Sequence, residues 1–209
     1  PSNAKSPSEI FSTVDGYKSV LAKLYATLSV TGADGPAGSP DIGGGLDEGS
    51  QVGFIRAYFN LEELPTDEAV VAWNGQTIWD FHNLKWTSGD PFLKGAYARP
   101  IWNITLINEY MRQATDDVLA KNGITGADAT AVKNTRGEAR FLRAFNYWLM
   151  LNWFGKSTFI TEADGAGYFL PKEISRADLF TYIETELKTA EGELAAAKTA
   201  EYGRVDQGA

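Results

Sequence analysis

The chain has 209 residues, 44% of them hydrophobic and 22% charged, the profile of a folded globular protein rather than a disordered or membrane-spanning one. Nineteen Lys and Arg against 27 Asp and Glu leave a formal net charge of -8, so a nucleic-acid backbone is not an expected partner. There is no cysteine and one histidine, His82, which excludes disulfides and thiolate metal sites and argues against His-rich metal centres and most catalytic triads.

No run of 18 apolar residues is present and no basic-plus-apolar leader opens the chain, so no membrane-spanning helix or signal peptide is expected as given. Pro1-Ser2-Asn3-Ala4 reads as a trimmed start, so a removed leader or lipidated cysteine would leave no trace in the sequence. The length suits one domain around a single core.

In chain order, Tyr17, Val20, Leu21, Leu24, Tyr25 and Leu28 follow the i, i+3, i+4, i+7 spacing of a helix face, predicting a helix over about 14–31. Residues 32–53 are dominated by Gly, Pro, Ser and Asp, a surface loop longer than most structureless connections. Short helices and loops continue to residue 95, broken at Leu64-Pro65 and at the Trp73-Asn74-Gly75 turn, so 32–95 reads as one loop-rich segment. A second helix is predicted over about 96–120, with Pro100 near its start, Ile101, Ile104, Ile107, Asn108 and Met111 in register, and Trp102 buried. After the Asn122-Gly123 break a third covers 136–154, apolar on nearly every side through Phe141, Leu142, Phe145, Trp148, Leu149 and Trp153, with Gly155 as its stop. A fourth runs over about 175–197, opened by Ser175 and Asp178 at capping-box spacing with Ile174 and Leu179 as a staple, its core face being Leu179, Tyr182, Ile183, Leu187 and Leu194. The fold class is mainly α, with helix pairs stacked as in helical-repeat proteins.

Catalytic chemistry has little foothold. Asp67, Glu68, Asp80 and His82 mix carboxylates with imidazole, but the leading reading is that Asp67 and Glu68 cap a short helix after Pro65-Thr66 and that His82 is a loop residue. The loop carboxylates Asp34, Asp41, Asp47 and Glu48 offer oxygen ligands for calcium without the alternation of an EF-hand, so a solvated loop leads there too. Glu138, Arg140 and Arg143 interrupt the apolar third helix and must be paired if buried. Asn103-Ile104-Thr105 matches a glycosylation sequon inside a predicted helix and is read as chance. No phosphate-cradling or nucleophile-elbow motif is present.

The tryptophans divide. Trp102, Trp148 and Trp153 lie in long helices and are expected in the core, whereas Trp73, Trp79 and Trp86 lie in loop-rich text beside Asn74, Gln76, Asn83 and Thr87. Flat aromatic faces next to amide and hydroxyl groups are what a sugar ring needs, since its C–H face stacks while its hydroxyls are read by hydrogen bonds. Loop tryptophans also commonly cover a core edge.

Three segments together resemble one family. The string RGEARFLRAFNYW from Arg136 to Trp148, continuing to Phe154-Gly155, is similar to the long signature helix of the SusD-like (RagB/SusD) outer-membrane nutrient-uptake proteins. The tail YGRVDQGA, Tyr202 to Ala209, resembles that family's junction into its next helix pair. Glu63-Leu64-Pro65-Thr66-Asp67-Glu68, preceded by Ser39-Pro40-Asp41 and Asp47-Glu48-Gly49, resembles its starch-binding branch. The resemblance implies a tetratricopeptide-like scaffold with long loop-rich insertions, 1–209 being the N-terminal part of one such domain and incomplete at the C-terminus. It further implies a surface protein of a Bacteroidota outer membrane, held by a removed N-terminal lipid anchor. Such a protein binds starch-like or other glycans without cleaving them and passes them to a SusC-like TonB-dependent transporter. No cofactor is expected. Arg56 and Trp73 fall where a starch-binding member has a sugar-contacting arginine and a stacking tryptophan. Gln76 stands where that member has an asparagine, and Val71 where it has another tryptophan. Trp73, Arg56, Gln76 and Asn74 are therefore the expected ligand-binding residues. The alternative is a helical scaffold whose main role is protein docking.

Overall fold

The computed structural model describes residues 5–32, 40–43, 45–46, 51–165, 167 and 169–208. Among them the chain forms eight α-helices: α1 (Pro7–Ile10), α2 (Val14–Ala26), α3 (Phe54–Glu62), α4 (Gln76–His82), α5 (Pro91–Gln113), α6 (Asp116–Lys121), α7 (Gly126–Phe154) and α8 (Arg176–Glu193). A two-stranded antiparallel sheet, β1 (Ser157–Phe159) and β2 (Lys172–Ile174), pairs Ser157 with Ile174 and Phe159 with Lys172. The mainly α expectation holds, and no helix of the described residues is long and apolar enough to cross a membrane. Contacts divide the chain into two units, one of Pro1–Tyr25 with Asn103–Ala209 and one of Ala26–Trp102.

The first unit is organised by α7 and α8. The β1–β2 hairpin returns the chain so that α8 packs against α7, and Gly155 ends α7 in the left-handed region at φ 74°, as its missing Cβ allows. Close approach is set by Gly137, where a Cβ would come within 2.9 Å of the Glu193 carbonyl carbon and the Leu194 nitrogen. Backbone cannot move aside as a side-chain tip can. Gly137→Ala is therefore expected to lower stability by about 1 to 2 kcal/mol, the overpacking cost outweighing the gain in helix propensity. Gly192→Ala in α8, where nothing lies within 4 Å, should be neutral or stabilising. Urea midpoints of the pair check this, and a Gly137→Ala protein as stable as the parent would remove the glycine from its packing role.

The charges of α7 are paired with partners from other elements. Arg143, 1% exposed, reaches Glu186 of α8 at 2.8 Å, Asn108 of α5 at 2.8 Å, and Glu162. Arg140 bonds Glu186 at 2.8 Å and Glu193 at 3.0 Å. Glu138 takes Arg204 from the tail and the Tyr25 hydroxyl of α2 at 2.6 Å. The same network corrects the expected face of α8: Glu186 is buried with Leu179, Ile183 and Ala190, while Leu187 is 39% exposed. Hydrophobicity alone misassigns that face because the arginines of α7 require an acceptor inside it.

Around a ring cluster, Tyr17 of α2 meets Phe11 and Tyr110 at centroid distances of 5.0 and 5.9 Å, and burial pushes the Tyr110 phenol up to about 12. Asn103 is buried, its Nδ2 donating to Asn146 at 3.0 Å, so the sequon is structural. Trp148 departs from expectation at 39% exposed, and Trp102 and Trp153 are only half-buried.

The second unit has its own small core of Leu64, Ile78, Phe81 and Phe92, with Leu61, Val71 and Leu93 packed against it. Arg99, 2% exposed, donates to the carbonyls of Val52 and Thr31 and to the Asp41 carboxylate, at 3.0, 3.3 and 3.2 Å. One buried guanidinium thus holds the ends of the long loop.

Helix boundaries shift from expectation. The 14–31 segment stops at Ala26. The 96–120 segment begins at Pro91, because Asp90 accepts from the Phe92 and Leu93 amides at 2.8 and 3.1 Å and Pro91 sits where no amide donor is required. Pro100 is therefore inside α5 rather than near its start, and the segment breaks before α6, which Thr115 caps. The third helix starts at Gly126, ten residues before the expected 136. The fourth ends at Glu193 rather than about 197; its Ser175 cap is as expected, accepting from Asp178 N at 3.2 Å. Segment 32–95 contains α3 and α4 as well as loops.

Candidate functional site

Two of the four expected ligand residues meet in the second unit. Helix α3 starts after Gly53 and presents Phe54, Ile55, Arg56, Phe59 and Asn60 to a groove of about 450 Å³, whose remaining wall is Ser29, Thr31, Val71 and Trp73. The Arg56 guanidinium lies over the Trp73 ring at 5.3 Å from its centroid, a cation–π arrangement that keeps the ring and the guanidinium edge at one rim. Trp73 is 62% exposed. Among the described residues Arg56 has no carboxylate or hydrogen-bond partner, so its donors face the groove rim unspent.

The segment carrying Trp73 is tied down on both sides by α4. The Val71 amide donates to His82 Nε2 at 3.1 Å, and Trp79 Nε1 donates to the Trp73 carbonyl at 3.1 Å. Val71 itself packs against the Leu64–Phe81 core. His82 therefore closes α4 as a defined acceptor rather than as a loop histidine.

The other two candidates do not line the groove. Gln76, the first residue of α4, donates its Nε2 to Asp80 one turn on at 2.7 Å. Asn74 is exposed beside Trp73. Trp86 stacks on Phe81 at 5.9 Å, covering the edge of the core. Asn83 donates to the Trp79 carbonyl at 2.7 Å and Thr87 accepts from Gly89 N at 3.3 Å, so both serve local turns. Of the groove wall from Phe54 to Asn60, only Arg56 is singled out by the sequence, through the family resemblance. The signal of the rest was faint, an apolar pair five residues apart after a glycine within text that read as loop.

Asp67 and Glu68 begin no helix. They are exposed in the turn after Leu64, where Thr66 Oγ1 accepts from Glu68 N at 3.1 Å. Of the loop carboxylates, Asp41 is committed to Arg99 at 3.2 Å, while Asp34, Asp47 and Glu48 lie outside the described residues. Among the described residues no group of three or more His, Asp or Glu could hold a metal.

A second groove, of about 440 Å³, lies in the first unit between α2 and α7 and is walled partly by Glu201, Gly203 and Arg204. Volume does not separate the two. Chemistry does, because the polar groups of the second groove are already engaged: Tyr25 with Glu138, Arg204 with Glu138 and Glu201, and Lys18 with Asp15. Burial first and Glu138 next hold the Tyr25 phenol well above its ordinary range. Of the two, the Trp73 groove joins an exposed aromatic face to a cation without an ion-pair partner among the described residues.

No family model matches the chain. It is 37% identical over 191 residues to the starch-binding protein SusD of Bacteroides thetaiotaomicron, an alignment covering 91% of this chain and 32% of that protein. Over the part that it spans, the chain is similar to SusD-like proteins. A crystal structure of a SusD-like carbohydrate binding protein from Bacteroides fragilis has the same fold, with a TM-score of 0.59 at 15% identity over 95% of this chain and 35% of the other. The chain thus spans about a third of the length of these SusD-like relatives, and α7 with its tail partner Arg204 occupies the two segments whose sequence first suggested the family.

Proposed function

We propose that the chain is part of a glycan-binding protein, in which Trp73 stacks on the face of a sugar ring and Arg56 donates to its hydroxyls. The observation that carries this is the exposed Trp73 ring beneath an unpaired guanidinium at the rim of an open groove. A pyranose offers apolar C–H faces and ring-edge hydroxyls, the complement of that pair. The relatives named as starch-binding and carbohydrate binding support the same class of ligand. Asn74 and Gln76 follow Trp73 in the chain without lining the groove, and we assign them at most to the outer units of a longer oligosaccharide. In this reading the glycan is bound without cleavage and without a cofactor.

In this reading the chain is the N-terminal part of one SusD-like domain. It works at the outer surface of the outer membrane through a lipid anchor, and hands its glycan to a SusC-like TonB-dependent transporter. Titration calorimetry with maltoheptaose, dextran, inulin and a xylo-oligosaccharide tests the central claim. At least one should bind, and Arg56→Ala should weaken it about tenfold, the loss of one or two hydrogen bonds to a charged donor. Heat signals absent across the panel would count against glycan binding.

One observation favours a second role. Ile55, Tyr58 and Phe59 are 70, 37 and 40% exposed on α3, an apolar face suited to a protein partner. Co-purification with a transporter in the absence of any glycan binding would favour docking as the main role.

A further inference from the structure

We propose that His82, the single histidine of the chain, is a positioning residue for Trp73 and makes ligand capture sensitive to mild acid. The inference rests on the glycan-binding reading of the Trp73 groove. Its basis is the bond from the Val71 amide to His82 Nε2 at 3.1 Å. An imidazole nitrogen accepts a hydrogen bond only through its lone pair, so this bond requires neutral His82 with its proton on Nδ1. Protonation places N–H against N–H, and the bond is lost.

Val71 stands two residues before Trp73, at the end of the groove wall nearest the ring. The segment is held by two bonds to α4, this one and that from Trp79 to the Trp73 carbonyl. Only the first involves a titrating group. With it gone, the backbone on one side of Trp73 is released, and the ring loses its fixed relation to Arg56 across the groove.

The charged groups of the surrounding elements include Asp90, buried at the start of α5 where Phe92 packs on Phe81, its carboxyl raised by burial, and Lys94 one turn on. On α4 Asp80 is taken by Gln76, and Lys85 follows in the next turn. On α3 Arg56 lies over Trp73, with Glu62 and Glu63 at the helix end. Asp67 and Glu68 are exposed in the loop leading to Val71. None of these forms an ion pair with His82 among the described residues. The test therefore spans pH 7.5 to 5.5, the interval in which an imidazole side chain in general changes charge.

The test uses the full chain with maltoheptaose as the probe, together with the Val71 amide protection factor from hydrogen exchange. In the parent, affinity should fall roughly two- to tenfold from pH 7.5 to 5.5, the loss of one hydrogen bond, and Val71 protection should fall with it. His82→Gln, whose Oε1 can accept in place of Nε2 at every pH, should hold both affinity and protection across the interval. His82→Leu should be weak at both pH values. A merely structural histidine would not be rescued by Gln and would not yield this pH profile. Parent affinity and Val71 protection that are flat in pH, or a His82→Gln protein that declines in parallel with the parent, would overturn the proposal. If maltoheptaose fails to bind even at pH 7.5, it is the ligand reading that fails, and Val71 protection still decides the role of His82.

Discussion

Trp73→Ala is expected to weaken the binding of any glycan that the parent chain holds by about thirtyfold or more, about 2 kcal/mol, the scale of an aromatic anchor. The size follows from the geometry. The ring is the broadest apolar surface at the groove, and the guanidinium of Arg56 is placed by lying over it. Removing the indole thus takes away the stacking face and the support of the charged donor together. The fold should survive, because the side chain is 62% exposed and its segment is anchored through the backbone, by the Val71 amide and the Trp73 carbonyl. Far-UV circular dichroism and the urea midpoint should therefore match the parent. Trp73→Phe should recover part of the affinity, since a smaller ring still stacks. An alanine variant with undiminished affinity would take Trp73 out of the site.

Arg143→Met should cost about 3 kcal/mol of stability by urea denaturation, at the lower end of what breaking a buried pair entails. Met keeps the unbranched stem of the side chain, so the loss is chiefly that of the guanidinium. It leaves Glu186, 6% exposed, with only Arg140, and it removes partners from Asn108 and Glu162. Replacing both sides, Arg143→Met with Glu186→Leu, should be less harmful than the single change, because an apolar pair leaves no buried charge uncompensated.

The network also predicts an acid limb. Burial alone would raise the Glu162 carboxyl, but the hydrogen bond and charge of Arg143 hold it below its ordinary value of 4.5. A carboxyl lowered in the folded state contributes stability that is present above that value and lost as pH falls through the folded one. The parent should therefore lose stability below about pH 4.5, and Arg143→Met should lose less of it over the same range. A single variant as stable as the parent would show that the network is incidental to the fold.

The helices illustrate how local and tertiary information divide. The Ser175 cap and the Gly155 stop were legible because each acts on its own chain neighbours: a hydroxyl on an amide three residues on, and a missing Cβ where the backbone turns left-handed. The start of α7 was missed because residues 126–135 are mostly exposed and carry little apolar periodicity; their helix is sustained by buried Val132 and Thr135. The α8 face was misread at Leu187 for the opposite reason. A buried Glu186 makes sense only once Arg140 and Arg143 arrive from α7, some 40 residues away in sequence.

At the site, the residue types were legible and their assembly was not. From sequence alone came the mainly helical class, the need for partners to Glu138, Arg140 and Arg143, and the candidacy of Trp73 among exposed tryptophans, because periodicity, burial cost and aromatic character are properties of side chains in order. Tertiary structure alone decided that Arg56 lies over Trp73, that Gln76 turns to Asp80, that Trp86 covers Phe81, and that His82 holds Val71. The pairs of Arg56 with Trp73 and of Val71 with His82 join segments 17 and 11 residues apart, which meet only when the core of Leu64, Ile78, Phe81 and Phe92 closes beneath them.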